Sequence, residues 1–593
     1  NRIRGIAWSP DGCWLAYGFA TSASKTAIKL CNVETGETHQ VTEPVLHDIR
    51  PSFDPGGKYL YFLGYRIFHP TFDHLHFDLG FPRGVKPYVI ILRRDLRSPF
   101  IPEPKVPEDK EKEKEEKDNE KEDTPENNHQ EGDSDTKDDL QQEIDEPKDD
   151  KKDHSKKKPT PIVIDLEDIS ERVLPFPVSE GRYSLVRGVK GRVFFLSSPT
   201  EGIGDDSFSH DVRGALDYYD LEAYKTERFL DGVNDFELSR NSKTLIYRHR
   251  HRLRVLKTGD KAPKADTGDR PGRESGWLDL YRVKVSVQPA AEWKQMFAEA
   301  WRLQREHFWD EDMSGIDWDA IYAQYAPLVE RTSSRSELSD LLWELHGELG
   351  TSHAYEWGGE YRQGPNYRQG FLGVDWTYDS ENDRYRIARI VKGDPSDSYA
   401  TSPLTGPGLG VAVGDAVLAI NGQRVEAKRG PQELLVNQAG NEVQLTIEDG
   451  KTKETRVVVV KALGSEMSAR YREWVESNRR FVHENSQNRV GYIHIPDMGK
   501  NGYAEFHRSY LAEYDYAALL IDVRWNAGGR VSGLLLEKLA RRRIGYDFSR
   551  WFLPNPYPDE SPRGPMVALT NEHAGSDGDI FCHSFKMMGL GPL

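Results

Sequence analysis

The chain has 593 residues, of which 30% are charged, and its formal net charge at pH 7 is −17. This length far exceeds one hydrophobic core and predicts three or four domains, while the acidic balance argues against nucleic acid as a partner. Three cysteines without paired spacing indicate neither a disulfide framework nor a zinc site and favour a reducing, cytoplasmic compartment, and we expect no metal or cofactor. No run of about 18 apolar residues occurs, so we expect no membrane span.

Residues 1–288 have the pattern of short strands separated by turns. Ser-Pro-Asp-Gly at 9–12 and Asp-Pro-Gly-Gly at 54–57 each precede an apolar strand, and a looser copy starts at Phe236. A repeat of about 45 residues made of strand, turn and strand is typical of β-propeller blades. An isolated β-sandwich is the alternative. Three further strands are predicted from alternating polarity, at Ile28–Val33, Ile162–Leu166 and Leu216–Leu221.

Residues 106–158 differ from their surroundings. They consist mainly of Glu, Asp and Lys and contain almost no apolar side chains. Such a composition buries too little surface to offset the entropy of ordering, so we predict a disordered insertion between blade strands.

A helical domain is predicted at 289–367. Trp293, Phe297, Trp301 and Phe308 have the spacing of one helix face. Ser334 and Glu337 form a capping box that opens a further helix.

Residues 368–462 contain Gly-Asp-Ala-Val-Leu-Ala-Ile-Asn-Gly at 414–422, a pattern that strongly resembles PDZ domains. PDZ domains bind extended peptides at a sheet edge. The sequence leaves open whether this domain binds substrate or serves only as a scaffold.

Residues 463–593 alternate strands with helices, which predicts an α/β domain. We expect a helix at Tyr471–Asn478 and strands at Arg489–Ile495, Leu519–Val523 and Met566–Leu569.

Three stretches carry the residue types of an acyl-transfer site. Gly528 and Gly529 follow a buried strand, where backbone N–H groups are able to meet a ligand, although a tight turn needs glycines too. Ser576 precedes a helix, a position that suits either a nucleophile or a simple N-cap. His353 follows a helix and precedes a glycine-rich loop, and alone it is more often structural.

Together these stretches closely resemble the tricorn protease family. The matching motifs are Gly-Thr-Ser-His-Ala-Tyr-Glu at 350–356, Asp-Val-Arg-x-Asn-x-Gly-Gly at 522–529 and Asn-Glu-x-Ala-Gly-Ser-Asp-Gly-Asp-Ile-Phe at 571–581. The resemblance implies a multidomain α+β fold: a partial β-propeller, the helical domain, the PDZ-like domain and a C-terminal α/β domain of the crotonase or tail-specific-protease type.

The same resemblance implies the roles of individual residues. Ser576 is the nucleophile, His353 the general base and Ser352 a residue that orients the histidine. Gly529 and Asp577 supply the N–H groups of the oxyanion hole. Asp547 selects a basic substrate residue, reaching the site across a subunit interface; the alternative is a surface charge that offsets neighbouring arginines.

The family resemblance also implies peptide substrates, a homohexamer and a glutamate downstream of the nucleophile. That glutamate would follow Leu593, and the chain starts at Asn1 in mid-pattern, so we expect the sequence to be a fragment. Two other functions stay open. One is a propeller and PDZ scaffold that binds peptides without cutting them, and the other is a tail-specific protease with a lysine base.

Overall fold

A computed structural model describes residues 2–73, 78–102, 161–200, 214–259, 270–361, 364–551 and 553–593. The chain forms two compact units, residues 1–285 and residues 286–593. The insertion predicted at 106–158 lies outside the described residues, and its predicted disorder stays a prediction. In the described part of the chain, no helix combines the length and apolar character needed to cross a bilayer.

The first unit consists of successive antiparallel sheets, each built mainly from strands that are neighbours in sequence. Its first sheet has the order β1-β2-β3-β4, its second β10-β9-β6-β5, its third β11-β12-β13-β14 and its fourth β15-β16-β17, and β7 and β8 form a hairpin. This succession of small separate meanders is the propeller type of fold, not two facing sheets of one sandwich. The strands are β1 (Ile3–Trp8), β2 (Trp14–Ala20), β3 (Thr26–Asn32), β4 (Thr38–Gln40), β5 (Asp48–Phe53), β6 (Tyr59–Tyr65), β7 (Thr71–Asp73), β8 (Asp78–Gly80), β9 (Val85–Ile91), β10 (Val173–Pro175), β11 (Arg182–Val189), β12 (Arg192–Ser198), β13 (Gly214–Asp220), β14 (Lys225–Val233), β15 (Asp235–Leu238), β16 (Thr244–His249) and β17 (Arg252–Lys257).

The repeated turn motifs fold alike. In all three copies the first turn residue donates its N–H to the carbonyl five residues later: Ser9 to Trp14, Asp54 to Tyr59 and Ser239 to Thr244. The first residue's carbonyl also accepts from the residue three positions on, which closes the turn. The sequence repeat is therefore a structural repeat that joins two strands of a blade.

Two of the three extra strands predicted here are present, as β3 and β13. The prediction of a strand at Ile162–Leu166 is wrong, because these residues belong to no ladder. The N–H of Ile162 donates to Asp11 Oδ2 over 2.7 Å, and the segment packs its isoleucines and Leu166 against the core of the first two sheets. Burial on one side produces the alternating pattern without strand pairing.

The second unit opens with α1 (Pro289–His307), α2 (Trp318–Val329) and α3 (Arg335–Gly347). Phe297 is buried at the centre of their shared core, and the other three aromatic residues of the predicted face pack against it. Ser334 Oγ accepts the N–H of Glu337 over 3.3 Å, as the predicted capping box requires.

A five-strand path with the order β18-β19-β20-β22-β23 follows, and β21 pairs with β20. Its elements are β18 (Val374–Asp379), β19 (Arg384–Ile390), β20 (Ala416–Ile420), β21 (Gln423–Arg424), α4 (Pro431–Leu434), β22 (Glu442–Glu448) and β23 (Thr455–Lys461). The apolar residues of this PDZ-type sheet form a core of their own.

The last part is an α/β layer around a parallel sheet with the order β24-β25-β28. Its elements are α5 (Met467–Asn485), β24 (Val490–His494), α6 (Lys500–Glu513), β25 (Ala518–Asp522), α7 (Ser532–Leu539), the hairpin β26 (Gly545–Asp547) and β27 (Asn555–Tyr557), β28 (Met566–Leu569) and α8 (Asp577–Met587). Helix α5 is longer than the predicted Tyr471–Asn478 at both ends, because no Gly or Pro interrupts its pattern.

Candidate active site

The site lies beyond the carboxyl ends of two adjacent strands. β25 leads to Gly528 and Gly529, and β28 leads to Ser576. Because these strands are parallel neighbours, with Leu519 to Asp522 aligned on Met566 to Leu569, both loops emerge from the same edge of the sheet. This edge is where open α/β sheets place their ligands.

Ser576 has a backbone conformation that serine rarely adopts, with φ 55° and ψ −125°. A residue held in such a sparsely populated conformation costs about 1–3 kcal/mol and persists only where its surroundings fix it. Ser576 is also the residue directly before α8, but its hydroxyl makes no capping hydrogen bond to the helix. Ser576 therefore occupies the N-cap position without capping the helix through its hydroxyl, which is directed elsewhere.

The Ser576 hydroxyl meets the imidazole of His353. Ser576 Oγ lies 2.8 Å from His353 Nε2, and the other ring nitrogen, Nδ1, lies 2.9 Å from Ser352 Oγ. The structure thus brings together all three side chains that the sequence suggested for catalysis, across 223 positions of chain. His353 is exposed, so it is not a core histidine.

The segment that carries His353 is tied to α3. Glu356 accepts from the Arg335 guanidinium over 2.5 Å and from Ser339 Oγ over 3.0 Å. The backbone of His353 itself has φ 65°, a left-handed conformation that turns the ring out of the segment. This ion pair and this turn fix the direction of the imidazole.

Two backbone N–H groups near Ser576, those of Gly529 and Asp577, are the predicted oxyanion donors. Within the described ranges, neither the N–H of Gly529 nor that of Asp577 is matched with a protein acceptor. Asp577 is the first residue of α8, so its N–H is one of the donors that a helix leaves unsatisfied. Both groups are therefore available to a developing negative charge.

Close packing explains the two glycines. A Cβ at Gly528 would lie 2.6 Å from Ser576 Cβ, and a Cβ at Gly529 would lie 2.0 Å from the Met498 carbonyl oxygen. Both residues also have positive φ, 79° and 152°. Gly528 therefore serves a close approach to the serine turn, and Gly529 serves a close approach to the backbone at Met498, in addition to the tight turn that both form.

Asn526 is a site residue whose role the sequence reasoning missed. Its side chain is fully buried; Nδ2 donates to the Ile495 carbonyl over 2.8 Å and Oδ1 accepts the N–H of Gly528 over 2.9 Å. Its own carbonyl accepts the N–H of Gly575, next to the serine, over 3.1 Å. One residue thus joins the end of β24, the glycine loop and the serine turn. An asparagine two positions before the glycine pair was the available signal.

The Asp577 side chain has a further contact that the sequence did not indicate. Its carboxylate accepts the N–H of Ser532 over 3.1 Å and the Ser532 hydroxyl over 2.7 Å. A carboxylate at the start of two helices, α7 and α8, is stabilised by both dipoles. The contact holds the turn of Ser576 against the start of α7.

Family models match the chain in four places. They are the tricorn protease second beta propeller domain over 1–259, the tricorn protease C1 domain over 289–347, the tricorn protease PDZ domain over 370–465 and peptidase family S41 over 489–593. The chain belongs to the tricorn protease family.

Individual tricorn relatives agree with these models. "Tricorn protease homolog 1" of Streptomyces coelicolor is 38% identical over 99% of this chain and 52% of its own length, and the "Tricorn protease homolog" of Saccharolobus solfataricus is 38% identical over 99% and 49%. A crystal structure of the tricorn protease superposes with a TM-score of 0.81 at 30% identity, covering 99% of this chain and 52% of that one. The chain therefore spans about half the length of these relatives.

In this tricorn-family chain, an ionic network lies under the glycine loop. Asp522 is fully buried and accepts from the Arg524 guanidinium over 2.9 Å and from the Tyr492 hydroxyl over 2.7 Å. Burial alone would raise the pKa of the Asp522 carboxyl, but the hydrogen bonds from Arg524 and Tyr492 outweigh it and hold that pKa below its ordinary value. Burial lowers the pKa of the neighbouring His494, which favours its neutral form.

Asp547, the predicted specificity residue of this tricorn chain, is the last residue of β26 and is exposed. Two of the three nearby arginines are paired with other carboxylates, Arg541 with Glu560 over 3.5 Å and Arg543 with Asp515 over 2.5 Å. These contacts reduce the need for Asp547 as a local counter-charge, and its role in specificity stays a prediction.

Proposed function

We propose that the protein is a serine peptidase that cleaves peptides through an acyl-enzyme. The observation that carries this proposal is the hydrogen-bonded row of Ser576 Oγ, His353 Nε2, His353 Nδ1 and Ser352 Oγ, with steps of 2.8 and 2.9 Å. A hydroxyl, a base and an orienting group within hydrogen-bond reach are the parts that nucleophilic catalysis needs.

In the first step, Ser576 Oγ forms a bond to the scissile carbonyl carbon while its proton passes to His353 Nε2. The carbonyl oxygen becomes an oxyanion and accepts from the N–H groups of Gly529 and Asp577. The C–N bond then breaks, and the imidazolium gives its proton to the leaving amine. Water repeats the sequence on the ester, releases the acid and restores Ser576.

Ser352 acts on His353 rather than on substrate. For Nε2 to accept a proton, the neutral imidazole must carry its hydrogen on Nδ1, and Ser352 Oγ accepts that hydrogen. In this role the hydroxyl accepts the Nδ1 hydrogen and helps to hold the ring toward Ser576. A serine carries no charge, so it stabilises the imidazolium less than a carboxylate would.

We extend the proposal to the setting of the enzyme. The matching relatives are named as proteases, which supports peptides as substrates. We also propose a cytoplasmic homohexamer in which Asp547 selects a basic substrate residue across a subunit interface. The division into domains at 1–288, 289–367, 368–462 and 463–593 is proposed on the sequence pattern. Ser576 Oγ already has His353 as its partner, so no observation favours a lysine base or a scaffold without catalysis.

The test is labelling of the full-length polypeptide with a fluorophosphonate, followed by peptide mapping of the modified residue. We expect the label on Ser576, because the probe reacts only with an activated hydroxyl. Ser576→Ala should lose labelling and peptide cleavage together, and His353→Ala should lose nearly as much because members of such a unit act together.

The matched control is Ser584→Ala, which removes a serine hydroxyl two turns further along α8, away from the serine turn. It should retain the label. A label on another residue, or full peptide cleavage by folded Ser576→Ala, would overturn the proposal.

A further inference from the structure

Three aromatic rings follow one another along the segment that carries the base. The ring centroid of Tyr355 lies 5.8 Å from that of His353, edge to face, and the ring of Trp357 is stacked on Tyr355 at 5.4 Å with an interplanar angle of 23°. We call these residues, His353, Tyr355 and Trp357, the ring row. The row begins at the imidazole that meets Ser576.

The backbone of this segment alternates between two faces. Ala354 packs against the core of the three helices, and Glu356 is held by Arg335. Tyr355 and Trp357, which alternate with these two residues along the chain, have exposed side chains instead. Tyr355 is 51% exposed and Trp357 is 72% exposed. The ring row is an outward surface on an anchored support.

Large exposed rings on a fixed backbone are suited to binding. Tyr and Trp supply contact area at a low cost in conformational entropy, because each has only two side-chain torsions. The anchoring of Glu356 by Arg335 and Ser339 lowers that cost further, since the backbone is already ordered before a ligand arrives.

The position of the row indicates which part of a substrate it meets. In acyl transfer the imidazolium must give its proton to the leaving nitrogen, so the leaving portion of the peptide lies beside the imidazole. The ring row starts at that imidazole. Aromatic faces gain most from apolar and aromatic partners, in stacked or edge-to-face contact.

We propose that Tyr355 and Trp357 form a subsite for an apolar or aromatic side chain on the leaving-group side of the scissile bond. This rests on the proposed function, because it takes His353 as the group that protonates the leaving amine. The subsite adds selectivity on the side opposite to the one assigned to Asp547.

The test is the partition of the acyl-enzyme between water and added amines. Full-length protein is acylated with a peptide ester, and phenylalanine amide and glycine amide compete as acceptors from the leaving-group side. The ratio of the two aminolysis products is measured for wild type and for Tyr355→Ala and Trp357→Ala. Because it is a ratio, it is independent of how much acyl-enzyme forms.

We expect each substitution to lower the preference for phenylalanine amide about three- to tenfold, the worth of one aromatic contact. Trp357→Phe should keep most of the preference, since it keeps a ring. Trp309→Ala is the matched control: Trp309 is 78% exposed and lies in the same helical part of the chain. It should leave the ratio unchanged.

An unchanged product ratio in Tyr355→Ala and Trp357→Ala would overturn the subsite. A sedimentation coefficient of either variant that differs from that of wild type would also overturn it, because the rings would then be a contact between subunits. A second measurement does not depend on turnover. Ser576→Ala is titrated with two peptides that differ only by Phe or Ser at the leaving-group position, with and without Trp357→Ala. Absence of the fluorophosphonate label on Ser576 overturns the peptidase, whereas equal affinity for the two peptides overturns the subsite.

Discussion

Gly528→Ala is the substitution for which the structure predicts the sharpest loss of function. The added methyl carbon would lie 2.6 Å from Ser576 Cβ, 3.0 Å from the Gly575 carbonyl oxygen and 3.1 Å from Ser576 Oγ. Non-bonded carbons pack at about 3.5–4.0 Å, so the serine turn and the glycine loop must separate by about 1 Å.

The size of the effect follows from two contributions to stability and one to rate. The positive φ of Gly528 costs about 1–2 kcal/mol for alanine. Overpacking adds about 1–3 kcal/mol. A displacement of about 1 Å at a reacting group lowers the rate about 10²-fold. We therefore expect a folded protein that is about 2–5 kcal/mol less stable and labels about 100 times more slowly.

The assay is the second-order rate of fluorophosphonate labelling, with chemical denaturation of the same preparation. Gly533→Ala is the matched control, because Gly533 lies in α7 and a Cβ there would point into open space among the described residues. It should label at the wild-type rate, and its free energy of unfolding should rise by about 0.5–1 kcal/mol because alanine has a higher helix propensity than glycine.

If Gly528→Ala labels within twofold of wild type, the close approach of the two loops does not govern the site. If its labelling falls only in proportion to the fraction unfolded, the loss is one of stability and the argument from displacement is wrong.

Asp547→Ala should reduce the preference for Arg over Leu on the acyl side of the scissile bond about tenfold or more, because a charge-assisted hydrogen bond is lost. The preference is measured as the ratio of kcat/KM for the two substrates, and an unchanged ratio would make Asp547 only a surface charge. Acid stability tests the network at Asp522. Its folded pKa lies below its unfolded value of about 3.9, so its stabilisation is complete above that pH and is lost as the pH falls through the folded pKa. Tyr492→Phe removes a hydrogen bond to the carboxylate and should move the acid-unfolding midpoint, followed by circular dichroism, to higher pH; an unmoved midpoint would argue against this coupling.

The sequence predicted those parts of the fold that depend on local pattern. The blade turns share residue types and therefore share hydrogen bonds, and the helical face around Phe297 is a matter of spacing. The strand predicted at Ile162–Leu166 was wrong because alternating polarity indicates only that one side is buried, whereas a strand also needs a partner backbone. The ends of α5 were missed because charged residues carry little information about where a helix stops.

The site was predicted through long motifs, and its internal supports were not. His353 and Ser576 lie far apart in sequence and meet only through the tertiary fold, so no spacing pattern in the sequence predicts their 2.8 Å contact. The roles of Asn526 and of the Asp577 carboxylate depend on which loops lie side by side beyond the sheet. From residue type alone, Asn526 is equally well explained as an ordinary turn residue and Asp577 as an ordinary first residue of a helix.

Asn526 connects the glycine loop to the serine turn, and the candidate site therefore consists of two separately anchored parts. The glycine loop binds the side-chain oxygen of Asn526 and the serine turn binds its main-chain carbonyl, so this one residue keeps the proposed oxyanion donors and the proposed nucleophile in register. His353 belongs to the other part, anchored on α3 through Glu356 and Arg335. A shift of that anchor would remove the base and leave the cradle intact, so the enzyme would be silenced without any loss of its capacity to hold a carbonyl group.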